Sequence, residues 1–90
     1  MTLKYIYSDE SQLDIFSHLK DEYPNIEYIG YNFNSFKERK EAYKVLSYFG
    51  AKLLPFCAFY KDKVVIKAFY SEAGECNLNK ILKWISSSNY

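Results

Sequence analysis

The chain has 90 residues, 49% of them apolar and 20% aromatic, a composition that excludes a disordered chain and a length that allows one small core. Twelve Lys and Arg oppose eleven Asp and Glu for a net charge of +1, and without a basic stripe no nucleic-acid partner is expected. The longest apolar run, Leu53 to Tyr60, has eight residues and contains Pro55, far short of the about 20 that a membrane span needs, so no membrane partner is expected either.

Leu3 to Tyr7 reads as a short aromatic and β-branched strand. Ser8-Asp9-Glu10-Ser11 follows as a helix start, with capping oxygens and acids in the first turn. Leu13, Phe16, Leu19 and Tyr23, with Ile15 beside them, form one apolar helix face that Pro24 ends. Asn25 to Tyr31 is a second strand and Asn32 to Ser35 a turn. Ser35-x-x-Glu38 reads as a capping box for a second helix. Ala42, Val45, Leu46 and Phe49 make its inner face, with Phe36 and Tyr43 as flanks, and Gly50 suits its C-cap. Phe56 to Tyr60 and Val64 to Phe69 are strands joined by the tight turn Lys61-Asp62-Lys63, hence an antiparallel hairpin. Ser71 to Glu75 is a loop. Leu78, Ile81, Leu82 and Ile85 mark a last helix ending near Ser86, with Trp84 on its flank.

The order βαβαββα over residues 1–90 gives a single α/β domain. The βαβ unit requires parallel strands with a right-handed crossover, and the hairpin adds antiparallel ones, so the sheet is four-stranded and mixed with helices on both faces. This order resembles the thioredoxin fold in its short, glutaredoxin-like form. The stretch from Ala42 to Pro55 sharpens the resemblance: a helix ends at Phe49-Gly50, and Pro55 opens a strand five residues after that glycine. The resemblance implies sheet order 2-1-3-4 and a cis bond before Pro55. The residues alone leave that isomer open, since a trans proline is also tolerated at a strand's first position.

The departure from the family is at the first helix. There the family carries a Cys-x-x-Cys, or at least one Cys, whose thiol is acidified by the helix N-terminus. Here Ser8-Asp9-Glu10-Ser11 stands in its place, which removes disulfide exchange by that mechanism. The first reading is therefore a redox-inactive protein-binding or assembly module that takes a protein or extended peptide by local strand addition at Leu54. The resemblance puts its groove between Tyr7, Ser8, Asp9 and Glu10, the segment Leu54, Pro55 and Phe56, and Tyr70, Ser71 and Glu72.

Cys57 and Cys76 lie 19 residues apart, which is no zinc spacing, and His18 has no second ligand, so neither metal nor cofactor is expected. Cys57 reads as a small buried hydrophobe. Cys76, just before the last helix, supports the alternative reading: a monothiol glutaredoxin-like oxidoreductase using Cys76, with Cys57 as its partner. The tyrosines Tyr5, Tyr7, Tyr28, Tyr31, Tyr48, Tyr60 and Tyr70 exceed what so small a core encloses, and the exposed ones favour a protein interface. Abundant Lys, Asn, Ile, Tyr and Phe with scarce Arg, Gly and Pro point to an AT-rich genome. A phage structural or accessory protein within a larger assembly fits that bias. With Met1 to Lys4 leading directly into a strand rather than a signal peptide, the expected location is cytoplasmic, or virion-associated if phage-encoded.

Overall fold

A computed structural model describes residues 1–71 and 78–87. Strand β1 (Thr2–Tyr7) leads into a 3-10 turn (Glu10–Leu13) that continues as helix α1 (Asp14–Glu22). Strand β2 (Glu27–Asn32), helix α2 (Arg39–Phe49), the hairpin β3 (Phe56–Lys61) and β4 (Val64–Phe69), and helix α3 (Leu78–Ser87) follow. The four strands form one mixed sheet in the order β2-β1-β3-β4, with β1 parallel to β2 and antiparallel to β3. Element order and sheet order are those expected from the sequence.

Period-two alternation divides the core into two layers. Leu3 and Tyr5 of β1 and Cys57 and Phe59 of β3 point to one face, where Phe16 and Leu19 of α1 and Ile81 and Ile85 of α3 cover them. Ile6, Phe56 and Ala58 point to the other face, under Ala42 of α2 and the half-buried Val45, Leu46 and Phe49. Burying side chains of this size stabilises the fold by about 1.5–3 kcal/mol each. Tyr5 stacks on Phe16 with ring centroids 4.2 Å apart. Trp84, expected on the flank of α3, packs on Phe59 at 4.7 Å and Phe69 at 6.0 Å and so closes the β4 side of its layer.

Local chemistry accounts for the ends of the elements. Gly50 caps α2 in the left-handed region at φ 66°, and its N–H reaches the carbonyls of Leu46 and Ser47. The Tyr28 hydroxyl lies 2.9 Å from the Leu19 carbonyl and 2.8 Å from that of Tyr23, and so satisfies the C-terminus of α1. Burial there pushes its pKa up to about 12. Gly30 pairs with Tyr5 in the parallel ladder, and a Cβ on it would lie 2.5 Å from the Tyr5 ring. The β3–β4 turn places both Asp62 (φ 52°) and Lys63 (φ 67°) in the left-handed region, as a two-residue hairpin turn requires. On β4 the pairing steps from Val65 to Lys67 while β3 steps from Tyr60 to Phe59, so Ile66 is the extra residue of a β-bulge.

Two expectations fail locally. The capping box is not at Ser35 and Glu38: α2 has no side-chain cap, and the Ser35 carbonyl instead receives the N–H groups of Glu38 and Arg39. Phe36 and Tyr43 do not flank a buried face; both stand out in solvent. An α2 lying on one side of a single sheet has only one stripe to bury, and Ala42, Val45, Leu46 and Phe49 already fill it.

Candidate functional site

The chain leaves β1 through α1 to reach β2 on one side, then returns through α2 to β3 on the other. The carboxyl end of β1 is therefore a topological switch point, where an α/β sheet opens a crevice. Antiparallel β3 begins at that same end, so the segment before Phe56 meets the turn after Tyr7.

Gln12, which sequence reasoning passed over, joins the two. Its Oε1 accepts from the N–H of Ser8 at 2.8 Å and of Asp9 at 3.3 Å, and its Nε2 donates to the Leu54 carbonyl at 3.5 Å. Asp9, in extended conformation, accepts from the Ser11 N–H through Oδ1 at 3.1 Å. Asp9 and Gln12 thus form a reciprocal capping box. The signal was present as Asp9-x-x-Gln12, which begins within the expected helix start Ser8-Asp9-Glu10-Ser11. Asn34 Nδ2 donates to the Ser8 carbonyl at 2.7 Å and ties the turn to the end of β2.

The Leu54–Pro55 peptide bond is cis. Pro55 is buried and Leu54 half-buried. Ser71, itself buried, donates its hydroxyl to the Pro55 carbonyl. The Tyr70 ring packs against Phe56 at 5.3 Å and its hydroxyl donates to the Phe49 carbonyl at 2.8 Å, while the residue stays 53% exposed. The β1–α1 turn, the Leu54–Pro55 segment and Tyr70–Ser71 therefore do come together. Tyr7 and Ser8 are half-buried and Asp9 and Glu10 exposed. Phe56 must be removed from the groove: it is 0% exposed, because its place on β3 turns it under α2. Pro55 and Ser71 are buried beneath this edge. Leu53, exposed beside Leu54, was missed.

The electrostatics are acidic. Burial, then the carboxylates of Glu38 and Glu10, push the Tyr7 hydroxyl pKa up. An anion formed at this turn would meet Asp9, Glu10 and Glu38. Cys57 is fully buried between sheet and helices, whereas Glu72 and Cys76 lie outside the described residues. His18 approaches Glu22 at 3.8 Å on the exposed side of α1. Among the described residues no three His, Cys, Asp or Glu side chains converge as a metal site would require, and no helix is long and apolar enough to cross a membrane. A cleft of about 470 Å³ lined by Met1, Tyr23 and Lys61 opens at the opposite end of the sheet.

No family model matches the sequence, and no curated protein matches it. Solved structures do. Thioredoxin O2 from Arabidopsis thaliana, in its oxidized state, superposes with a TM-score of 0.69 at 10% identity, over 94% of this chain and 71% of that one. Thioredoxin f2 from Chlamydomonas reinhardtii superposes with a TM-score of 0.67 at 16% identity, over 94% of this chain and 75% of that one. With its mixed sheet in the order 2-1-3-4 and helices on both faces, the chain has a thioredoxin-like α/β fold.

Proposed function

We propose that this chain is a protein-binding module that has given up thiol–disulfide exchange and takes an extended peptide against Leu54. One observation carries the reading: the helix N-terminus at the switch point is closed by the chain's own side chains. Asp9 and Gln12 use the N–H groups of Ser8, Asp9 and Ser11, which would otherwise stabilise a thiolate. Ser8, Asp9, Glu10 and Ser11 supply no sulfur, and the local carboxylates disfavour an anion.

Peptide binding has support in the groove's shape and lining. Leu53, Leu54 and Tyr70 offer apolar surface beside a backbone segment at a strand's start, where an added strand can pair. The Gln12 contact to the Leu54 carbonyl is long at 3.5 Å, so an incoming N–H can displace it. The short, glutaredoxin-like length belongs to this reading as a resemblance only. In the thiol-dependent alternative the partner thiol Cys57 is sealed in the core, and Cys76 lies outside the described residues.

The test has two arms. Reduction of a protein disulfide and of glutathione disulfide by dithiothreitol should proceed no faster with the chain present; acceleration would overturn the loss of exchange. A peptide selected from a random display library should shift the amide resonances of Leu53, Leu54 and Tyr70 and bind about tenfold more weakly to Leu53→Ser/Tyr70→Ala. Selected peptides that all bind elsewhere would overturn the groove.

A further inference from the structure

The sheet has two outer strands, β2 and β4. We propose that β2 pairs with β2 of a second copy of this chain, antiparallel about a two-fold axis at Gly30, so that two four-stranded sheets join into one.

The free groups of β2 follow from its ladder. The Glu27 N–H donates to the Met1 carbonyl at 3.0 Å and the Phe33 N–H to the Tyr7 carbonyl at 2.7 Å. In a ladder, alternate residues of a strand bond to one neighbour. The peptide groups of Glu27, Ile29, Tyr31 and Phe33 therefore face β1, and those of Tyr28, Gly30 and Asn32 turn outward. Of these, the Asn32 carbonyl takes the Ser35 N–H at 3.0 Å, and a carbonyl has a second lone pair for another donor. Among the described residues no strand covers this rim. Its sequence EYIGYN holds neither proline nor lysine, which are common devices against edge pairing.

A second copy fits because the rim complements itself. In antiparallel pairing about Gly30, that glycine exchanges both N–H···O bonds with its counterpart, and Tyr28 does the same with Asn32 of the other copy, twice. Every outward group is then used; an axis at Ile29 or Tyr31 leaves some of them unpaired. Between the bonded pairs, Ile29 lies opposite Tyr31 of the other copy, a β-branched and aromatic contact made twice on the α2 side of the sheet. Both side chains are half-buried in the single chain. The one charge on β2, Glu27, meets Phe33 of the other copy rather than a second carboxylate. Gly30 brings no side chain to the axis, where the Tyr5 ring of its own chain already fills that space. Lys20 stands near, its Nζ 3.3 Å from the Tyr5 hydroxyl, but it is exposed, so salt screens its like charge across the axis.

Pairing closes at two copies. The remaining outer strand, β4, is bulged at Ile66, which breaks the regular ladder that head-to-tail growth from β2 onto β4 would need. The contact is a strand about 20 Å long, and its burial falls below the about 1,200 Å² of a stable interface. The dimer is therefore weak and reversible, with dissociation on the order of 0.1–1 mM.

Sedimentation velocity of the full chain from about 20 µM to 1 mM brackets that range. The weighted-average coefficient should rise toward that of a dimer. Over the same series the amide resonances of Tyr28, Gly30 and Asn32 should move while those of Leu53 and Leu54 stay, which separates this rim from the groove. Ile29→Lys sets a charge against Tyr31 of the other copy and should weaken association about tenfold. Ile29 lies outside both core clusters, so the fold should survive. Val64→Lys, at an exposed position on β4, should leave association unchanged. A monomer at the highest concentration would overturn the proposal, and a library peptide that shifts the same three amides would then assign the rim to another protein. Association that leaves those amides unmoved, or that Ile29→Lys and Val64→Lys affect alike, would also overturn it.

Discussion

Gly30→Ala tests the packing of β2 against β1. The added methyl carbon would lie 2.5 Å from Cε2 and Cζ of Tyr5 and 2.6 Å from its hydroxyl oxygen. Ordinary carbon contacts lie at about 3.5–4.0 Å, so the ring must retreat by about 1 Å. It has little freedom to do so: Tyr5 is 7% exposed, stacked at 4.2 Å on Phe16, with Tyr7 beside it at 6.2 Å and Lys20 Nζ 3.3 Å from its hydroxyl. Overpacking of this kind costs about 1–3 kcal/mol. Replacing glycine within a strand returns about 0.5–1 kcal/mol of chain entropy. The net is about 1–2 kcal/mol of destabilisation, or a fall in Tm of roughly 5–10 °C for a chain of this size. The assay is thermal unfolding by circular dichroism with a double-mutant cycle: in a Tyr5→Leu background the same change should be neutral or stabilising. An unchanged or higher Tm for the single variant, or equal costs in both backgrounds, would refute the argument.

Lys63→Gly should raise stability by about 0.5–1 kcal/mol, since Lys63 holds φ 67° in the hairpin turn where glycine has no Cβ penalty; urea midpoints measure this. Tyr28→Phe should cost about 1–2 kcal/mol by removing the hydroxyl donor shared between the carbonyls of Leu19 and Tyr23, of which Leu19 keeps the Tyr23 N–H. Because Tyr28 titrates at about 12 when folded and near 10 when unfolded, the unfolded chain loses the proton first. Stability should therefore fall as pH rises from about 10 to 12, less steeply in Tyr28→Phe; an equal slope in both proteins would count against the burial of that hydroxyl. Gln12→Ala should cost about 1 kcal/mol as a lost cap, while Gln12→Glu keeps the acceptor for Ser8 and Asp9 and loses only the donor to Leu54. In the native chain Cys57 should resist alkylation at neutral pH until unfolding exposes it, which intact mass against denaturant reads directly.

The element order was legible because the periods are clean: two in β1 and β3, three and four in α1 and α3. Gly50 announced its cap by being the one residue there free of a Cβ. The one expected capping box was placed at Ser35-x-x-Glu38 rather than Asp9-x-x-Gln12 because the two patterns are alike; which is used depends on whether the chain is already wound. At Ser35 the backbone carbonyl has taken the donors. The groove was legible as segments, since switch-point topology brings them together. It was not legible as side chains: Phe56 needed the strand's facing, and Gln12 needed the distance to Leu54. The inner face of α2 was legible as Ala42, Val45, Leu46 and Phe49; Phe36 and Tyr43 were not legible as exposed, because hydrophobicity does not say how far around the helix the buried stripe reaches.

The bulge at Ile66 leaves the rim of β4 out of step with any straight strand laid beside it, and lysines stand at positions 61, 63 and 67 of the hairpin. Flat, uncharged rims are where folded proteins template fibrils. A chain this rich in tyrosine and phenylalanine thus carries its protection against ordered aggregation on that side in backbone geometry and charge, and removing the bulge by deleting Ile66 would expose that hazard even with the core intact.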